Sequence, residues 1–458
     1  MTLIRPPVLR SSGAVLNKAL FAQTYNIAAA AVSDNKNISK YRKALDKSRD
    51  ILRLERVSNI APHPDASLAS QGRKCLLLRP GISPDNIETW SPILREAVKQ
   101  EDVGVIPYEL KLGYDYWDPR DVLQAILPEE LHDDIPTGFN TAGHVAHLNL
   151  REHHLPYKKL IGEVILDKNR HIRTVINKVD NVGTESQFRT FAYEVLAGPD
   201  DMNVEVREGE CVFHFDYSKV YWNSKLEAEH RRIASMFNPG EVACDVMAGI
   251  GPFAVPAARK GVFVWANDMN PESYHYLKDA IARNKVSHFV RPFNEDGRSF
   301  ITRAADSVLA ASRNGEHALV YPKPPPRSSK PQKKPEPVRV PVPPTISHFV
   351  MNLPASAITF LPHYRGLYAG REELFAPHTQ TRLPMVHVHC FALKSDDEVP
   401  RIDICERLTE QLGVTMREGD PENEFEVAIH DVRDVAPAKR MFCASFRLPA
   451  EVAFASRT

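Results

Sequence analysis

Hydrophobic positions recur along this chain in two registers: short apolar runs, and stripes at helical spacing. The run Glu241-Val-Ala-Cys-Asp245 has the length of a buried strand, and Val262 to Ala266 forms a second. Between them, Phe253 to Lys260 is compatible with a helix. Another helix is predicted from Asp268-Met-Asn-Pro271-Glu272 to about Asn284. His288 to Phe293 predicts a third strand and Ser347 to Met351 a fourth. Ahead of them, Leu226, Ile233 and Phe237 share a stripe that predicts a helix over 226–237. Strands alternating with helices in this order predict an α/β fold for residues 201–458.

Upstream the pattern is more mixed. Lys40 to Val57 reads as a charged helix, and Cys75-Leu-Leu-Leu78 and Val103-Gly-Val-Ile106 read as short buried strands. Pro80-Gly81 and Ser83-Pro-Asp85 mark turns, and Trp90 is the natural core anchor. Residues 1–135 are thus expected to form a small α+β domain. Leu160 to Leu166 and Arg173 to Lys178 look like two strands around a polar turn, which predicts a β-rich middle module over 136–200. From Pro322 to Pro344, proline, lysine and arginine crowd around a single acid, Glu336. Such a segment cannot bury a core. It predicts a disordered, Pro-rich insertion at about 304–345 inside the last domain.

Composition narrows the class. The 458 residues leave room for two or three domains, and 43% hydrophobic with 25% charged residues is a globular balance. Lys plus Arg number 58, as do Asp plus Glu, so net charge announces no nucleic-acid partner, and any basic surface must be local. The six cysteines are scattered without a CxxC pair, which predicts reduced, buried thiols and no metal site. No apolar run approaches the ~20 residues of a membrane helix. The first 33 residues carry Arg5, Arg10 and Lys18 but no acid, a composition that suits either a mitochondrial leader or simply the start of the first domain.

Candidate chemistry centres on Asp245-Val-Met-Ala-Gly249-Ile-Gly251-Pro252-Phe253. A strand, a glycine turn and a helix make a nucleotide-binding corner, in which Gly249 and Gly251 allow close approach of a ligand. Asp268, seventeen residues beyond Gly251, ends the next strand where an acid suits a ribose diol. Asp296-Gly297 follows the third strand, where the ligand's base would sit. Gly249-x-Gly251-x-x-Ala254 also satisfies the loose dinucleotide pattern, so a nicotinamide cofactor competes with S-adenosylmethionine. Asp245, placed to meet a methionine ammonium, and Asn352-Leu-Pro354, closing the fourth strand, favour the latter. Glu229 and His230 lie on or beside the 226–237 stripe. Glu229 is a candidate general base or a plain surface acid beside Arg231 and Arg232. Arg189, between Phe188 and Phe191, reads by itself as a surface arginine.

Taken together, the segments resemble one family, the eukaryotic and archaeal-type tRNA (guanine-37-N1)-methyltransferases. The resemblance rests on Phe188-Arg189-Thr190 through Gly198, Asp216-Tyr-Ser-Lys-Val-Tyr-Trp-Asn223, Glu229-His230-Arg231, Asp245 to Phe253, Asn352-Leu-Pro354 and Val435 to Phe446. Arg5-Pro-Pro7 and Asn17 to Phe21 resemble the eukaryotic branch. The family implies a class I, Rossmann-like methyltransferase domain, a β-rich middle module and an N-terminal domain that docks on tRNA. It implies S-adenosyl-L-methionine as cofactor, tRNA with guanosine at position 37 as partner, and 1-methylguanosine as product, which maintains reading frame. A monomer in cytoplasm and nucleus, with a mitochondrial matrix pool, is the matching expectation. Carried over by position, Glu229 resembles the general base, Arg189 the arginine that steadies O6, and Asn352 and Pro354 the target-binding loop, with Tyr221 in the matching Lys-Val-Tyr motif. His230, Asp268, Met269, Asp296 and Gly297 resemble cofactor contacts. Met247 stands where the family usually has Phe. A wybutosine-pathway aminocarboxypropyl transferase and a non-catalytic RNA-binding protein remain as competing readings.

Overall fold

The structure, a computed structural model, describes residues 4–9, 15–179, 188, 190–320, 336–419 and 425–456. Its residues divide into two compact units. The first comprises 1–139, 148–175 and 195–198, and the second 140–147, 176–194 and 199–458.

The first unit contains β1 (Gln23–Val32), α1 (Ile38–Lys47), β2 (Ile60–Pro62), α2 (Ala66–Ser70), β3 (Lys74–Leu77), α3 (Pro92–Lys99), β4 (Val103–Leu112) and α4 (Pro119–Ile126). Its sheet is antiparallel in the order β2-β3-β1-β4. β1 is buried on both faces: Ala28, Ala30 and Val32 join one core cluster, and Ile27 and Ala29 the other. This follows from the two-residue repeat of a strand. Trp90 packs against the first cluster, and its Nε1–H donates to Ser83 O at 2.7 Å. The helix expected to reach Val57 stops at Lys47. Arg49 takes a positive φ of 61°, and Ile51 then bridges to Leu78.

Next come β5 (Asn140–Ala142), β6 (Val145–Leu148), α5 (Lys158–Lys168), β7 (Thr174–Lys178) and β8 (Tyr193–Ala197), whose strands form a sheet in that order. α5 corrects the expectation of a strand at 160–166. Leu160, Ile161, Val164 and Ile165 are buried, and their spacing belongs to a helix, not a strand. Gly162 lets the helix lie close to β8, because a Cβ there would meet Leu196 Cβ at 2.6 Å.

From residue 199 the second unit is continuous, opening with the hairpin β9 (Asn203–Glu208) and β10 (Cys211–Asp216) and the helix α6 (Glu227–Met236). The doubly wound part follows as β11 (Val242–Asp245), α7 (Ala254–Arg259), β12 (Phe263–Asn267), α8 (Pro271–Arg283), β13 (Val290–Phe293) and α9 (Gly297–Arg313). A small antiparallel pair, β14 (His317–Val320) and β15 (Val338–Pro341), precedes β16 (His348–Met351), β17 (Met385–Leu393), α10 (Val399–Leu412), β18 (Ala428–Ala436), β19 (Lys439–Arg447) and α11 (Ala450–Ala453). Seven strands form one sheet in the order β13-β12-β11-β16-β17-β19-β18, parallel from β13 to β17 and antiparallel beyond. The strand order reverses between β11 and β16, the place where open α/β sheets bind ligands beyond their carboxyl ends.

Two corrections concern the expected insertion. Its start near residue 304 falls inside α9, where Ala304, Ala305, Val308 and Leu309 are buried. Its end is not structureless either, since β15 pairs with β14 from Val338 to Pro341. Residues 321–335 lie outside the described structure. No described helix is long and apolar enough to cross a membrane.

Candidate active site at the sheet switch point

A cavity of about 320 Å³ opens at the carboxyl ends of β11, β12 and β16. Its floor is the loop after β11. Gly249 and Gly251 both take positive φ, 57° and 98°. A Cβ on Gly251 would meet Leu277 Cδ1 at 2.8 Å, whereas Gly249 has open space around it. The Gly249 N–H donates to Asp268 Oδ2 at 2.7 Å, and the Asn270 N–H donates to Asp268 Oδ1 at 2.9 Å. Burial raises the Asp268 pKa, and these two donors work against that rise.

The structure brings most of the predicted residues to this cavity. Tyr221, His230, Gly249, Asp268, Met269, Asp296, Gly297 and Asn352 all line it, although Gly251 does not. At Gly297 a Cβ would press on Val246 Cγ1 at 3.0 Å and Phe360 Cε1 at 3.1 Å, so the glycine keeps a narrow slot open beside Asp296. Asn352 Oδ1 and Trp222 Nε1, both on the lining residues, are buried without a hydrogen-bond partner. Buried polar atoms are normally paired, so these two are poised for a ligand. A carboxylate at the end of β12, a slot for a flat ring and unpaired polar atoms at the β16 side fit the ribose, adenine and methionine parts of S-adenosylmethionine.

Asp245 and Pro354 are absent from the lining as well. Asp245 is 1% exposed and does not line the cavity. Neither of its oxygens has a hydrogen bond of good geometry, and burial, with the nearby Asp268 charge, pushes its pKa up to about 8. Pro354 is buried and turned to β17, its carbonyl accepting from the Phe391 N–H at 3.2 Å. Arg189 lies outside the described residues.

Glu229 is no surface acid. It is 4% exposed and sits behind the cavity rather than in its lining. Arg232 donates from Nε to Oε2 at 2.6 Å and from Nη2 to Oε1 at 2.7 Å, and His389 Nε2 donates to Oε1 at 2.7 Å. Burial alone would raise the Glu229 pKa, but these partners outweigh it and hold the carboxylate at about 2. For His389, burial opposes the charged ring, and the neighbouring Cys443 and Glu229 overcome it, holding the pKa up at about 10. The resting pair is therefore carboxylate and imidazolium.

Sequence reading missed several positioning residues. Asn267, fully buried, donates from Nδ2 to Val246 O and Glu295 O and accepts from the Glu295 N–H at 3.0 Å, tying together the loops after β11 and β13. Its only signal was a polar residue closing an apolar run. His389 gave none, because its partner lies 160 residues away.

Among the described residues, two groups bring three metal-capable side chains together: Asp134 with His153 and His154, and Glu229 with His389 and Cys443. In each an arginine already occupies the carboxylate, Arg151 on Asp134 and Arg232 on Glu229. A guanidinium on the donor atoms opposes a second cation.

Residues 204–319 match the family described as TRM5/TYW2 methyltransferase domain, and 119–201 match the TYW2 N-terminal domain. A tRNA (guanine(37)-N(1))-methyltransferase of Neurospora crassa is 66% identical over 457 residues, covering 100% of this chain and 96% of its own. One of Schizosaccharomyces pombe is 45% identical, covering 96% and 95%. The fold is shared with Trm5b from Pyrococcus abyssi, at 21% identity and TM-score 0.59 over 92% of this chain and 99% of that one. It is shared too with aTrm5 in its complex with tRNALeu, at 17% identity and TM-score 0.60 over 92% and 100%. With near full-length identity of this order, and a glycine corner, Asp268 and Asn352 gathered at one sheet switch point, the chain belongs to the tRNA (guanine(37)-N(1))-methyltransferase family.

Proposed function

We propose that this protein transfers the methyl group of S-adenosylmethionine to N1 of guanosine 37 in tRNA. The observation that carries the reading is the 66% identity over the whole chain to the Neurospora crassa enzyme of that name. The cavity supports it, since its lining provides for a ribose, a flat base and a polar methionine end. When bound, the cofactor supplies an electrophilic methyl on a sulfonium sulfur.

The chain's own residues would then handle the target base. Guanine N1 carries a proton and is a poor nucleophile until it leaves, and its loss builds charge on O6. Glu229 is the proposed proton acceptor, once its side chain turns from behind the lining toward the cavity, and Arg189 the proposed partner of O6. A carboxylate held at about 2 is a weak base. Proton transfer to Glu229 must therefore accompany the loosening of its bond to Arg232 or His389, which raises its basicity as the proton arrives. Asn352 is the proposed residue that orients the base, and its unpaired Oδ1 on the cavity lining supports that role. A position in a single-stranded loop makes it cheaper for the base to leave its stack.

The test is methyl transfer from methyl-labelled cofactor to an unmodified transcript with guanosine at position 37, beside one with adenosine there. Label is expected only on the guanosine transcript, with Glu229→Gln slower by at least ~10²-fold. Label on both transcripts would move the target elsewhere. No label from the methyl-labelled cofactor, with label entering from cofactor labelled in its aminocarboxypropyl carbons instead, would replace the reaction altogether.

A further inference from the structure

His230, a cofactor contact by family resemblance, is held by a buried partner that has no part in the reaction, Glu208. His230 lines the cavity from α6, between Phe253, at 4.8 Å between ring centres, and Trp222. Its Nδ1 is 2.6 Å from Oε1 of Glu208, at the end of β9. Both side chains are almost fully buried, at 4% and 7% exposure. A buried histidine–carboxylate pair is expensive to keep, and an apolar pair of similar volume would serve packing as well. Glu208 does not reach the cavity, but it fixes the ring. With Nδ1 bound to Glu208, Nε2 is the atom left for a ligand, and among the described residues it has no hydrogen-bond partner. A carboxylate behind the imidazole is the usual way to set which nitrogen faces a site.

The sheet order says which part of the ligand His230 meets. Asp268 ends β12, and Asp296 follows β13 on the outer flank, so ribose and adenine extend that way. His230 lies toward the opposite flank: Phe253, which packs on its ring, also packs on His389 of β17, at 5.8 Å between ring centres. That is the methionine end, where the cofactor carries its own carboxylate. Among the described lining residues, the one arginine or lysine is Arg298, and it is bound to Asp296 at the adenine end.

We infer that Glu208 is a positioning residue: with Nδ1–H given to Glu208, a His230 ring protonated on both nitrogens between two carboxylates turns Nε2–H to the carboxylate of the bound cofactor's methionine. The inference rests on the reading of this cavity as a S-adenosylmethionine site. It assigns a receptor to the carboxylate of that ligand, for which the corner, Asp268 and Asp296 offer none.

The experiment is calorimetric binding of S-adenosylmethionine and of its decarboxylated analogue to the full chain, wild type and Glu208→Gln. The wild type should bind the analogue at least tenfold more weakly, as expected for loss of a charge-assisted hydrogen bond. Glu208→Gln should weaken S-adenosylmethionine at least tenfold and the analogue less than about threefold. In turnover, its KM for the cofactor should rise while kcat stays within about threefold. Equal weakening of both ligands would reduce Glu208 to a packing role and overturn the inference, as would a variant that binds both normally. If Glu208→Gln does not fold, the wild-type preference still decides: equal affinity for the two ligands leaves the carboxylate without a receptor. A wild type that binds neither ligand would instead remove the underlying reading of the cavity.

Discussion

Asp245 shows how a single residue can set a pH dependence. Its carboxyl group is buried without a good hydrogen bond, and its pKa rises from 3.8 to about 8. As pH climbs between those values, the unfolded chain ionises this group while the folded chain does not. The stability linked to the neutral carboxyl is fully present below about pH 4 and is lost by about pH 8. Asp245→Asn keeps the shape and removes the titration. The variant should therefore gain on the wild type by roughly 1.4 kcal/mol for each pH unit across this window. Urea unfolding at about pH 5.5, 6.5 and 7.5 measures the difference, and a gap that stays constant would mean that the carboxyl is already ionised in the fold. Glu229 lies at the other extreme, since two cationic partners keep it charged inside the protein. A buried carboxyl group is thus held neutral at the end of β11, where it lacks hydrogen-bonded cationic partners, and ionised on α6, where it has two.

At the scale of elements, the corner depends on two glycines for different reasons. Gly249 needs only its positive φ, so Gly249→Ala should cost about 1 kcal/mol. Gly251 combines a φ of 98° with a Cβ position only 2.8 Å from Leu277 Cδ1 of α8, so Gly251→Ala should cost roughly 2 to 4 kcal/mol. Denaturant midpoints of the two variants give the order, and a reversed order would mean that α8 yields without strain. This corner was legible because strand, glycine turn and helix are contiguous. Local pattern also placed β12, β13 and β16, each within a few residues. It failed at α5, where the β-branched and leucine side chains of 160–166 fit either period, and only the burial of 160, 161, 164 and 165 separates them. Partnerships across the sequence were not legible at all. Glu229 with His389, Glu208 with His230, and Asn267 with the β13 loop are made by the order in which strands assemble. Family resemblance named Glu229 and His230, but what holds each of them had to come from the fold.

At the scale of the whole molecule, the Pro-rich stretch separates two strands that nevertheless meet. Val320, the last residue of β14, pairs directly with Val338, the first of β15. Opposed residues of an antiparallel pair stand about 5 Å apart, so the sheet asks almost nothing of the chain between them beyond closure. Shortening a loop of this kind even lowers the entropy cost of closing it, by about 0.6 kcal/mol per halving. Replacing 321–337 with a four-residue Asn-Gly turn should therefore raise the unfolding free energy by roughly 1 kcal/mol and leave cofactor affinity unchanged. The same exchange tests whether the lysines and arginines of the segment touch tRNA. For every phosphate that the segment neutralises, its removal would flatten the dependence of log affinity on log salt by roughly 0.7 to 0.9. With cations solvated and free of RNA, the slope stays as it is and the KM for tRNA changes less than about threefold. That is the expected outcome, because the pairing of β14 with β15 is complete without the cations between them. A slope reduced by several units would instead make the insertion an added RNA-binding arm, carried by the edge of a methyltransferase domain that folds without it.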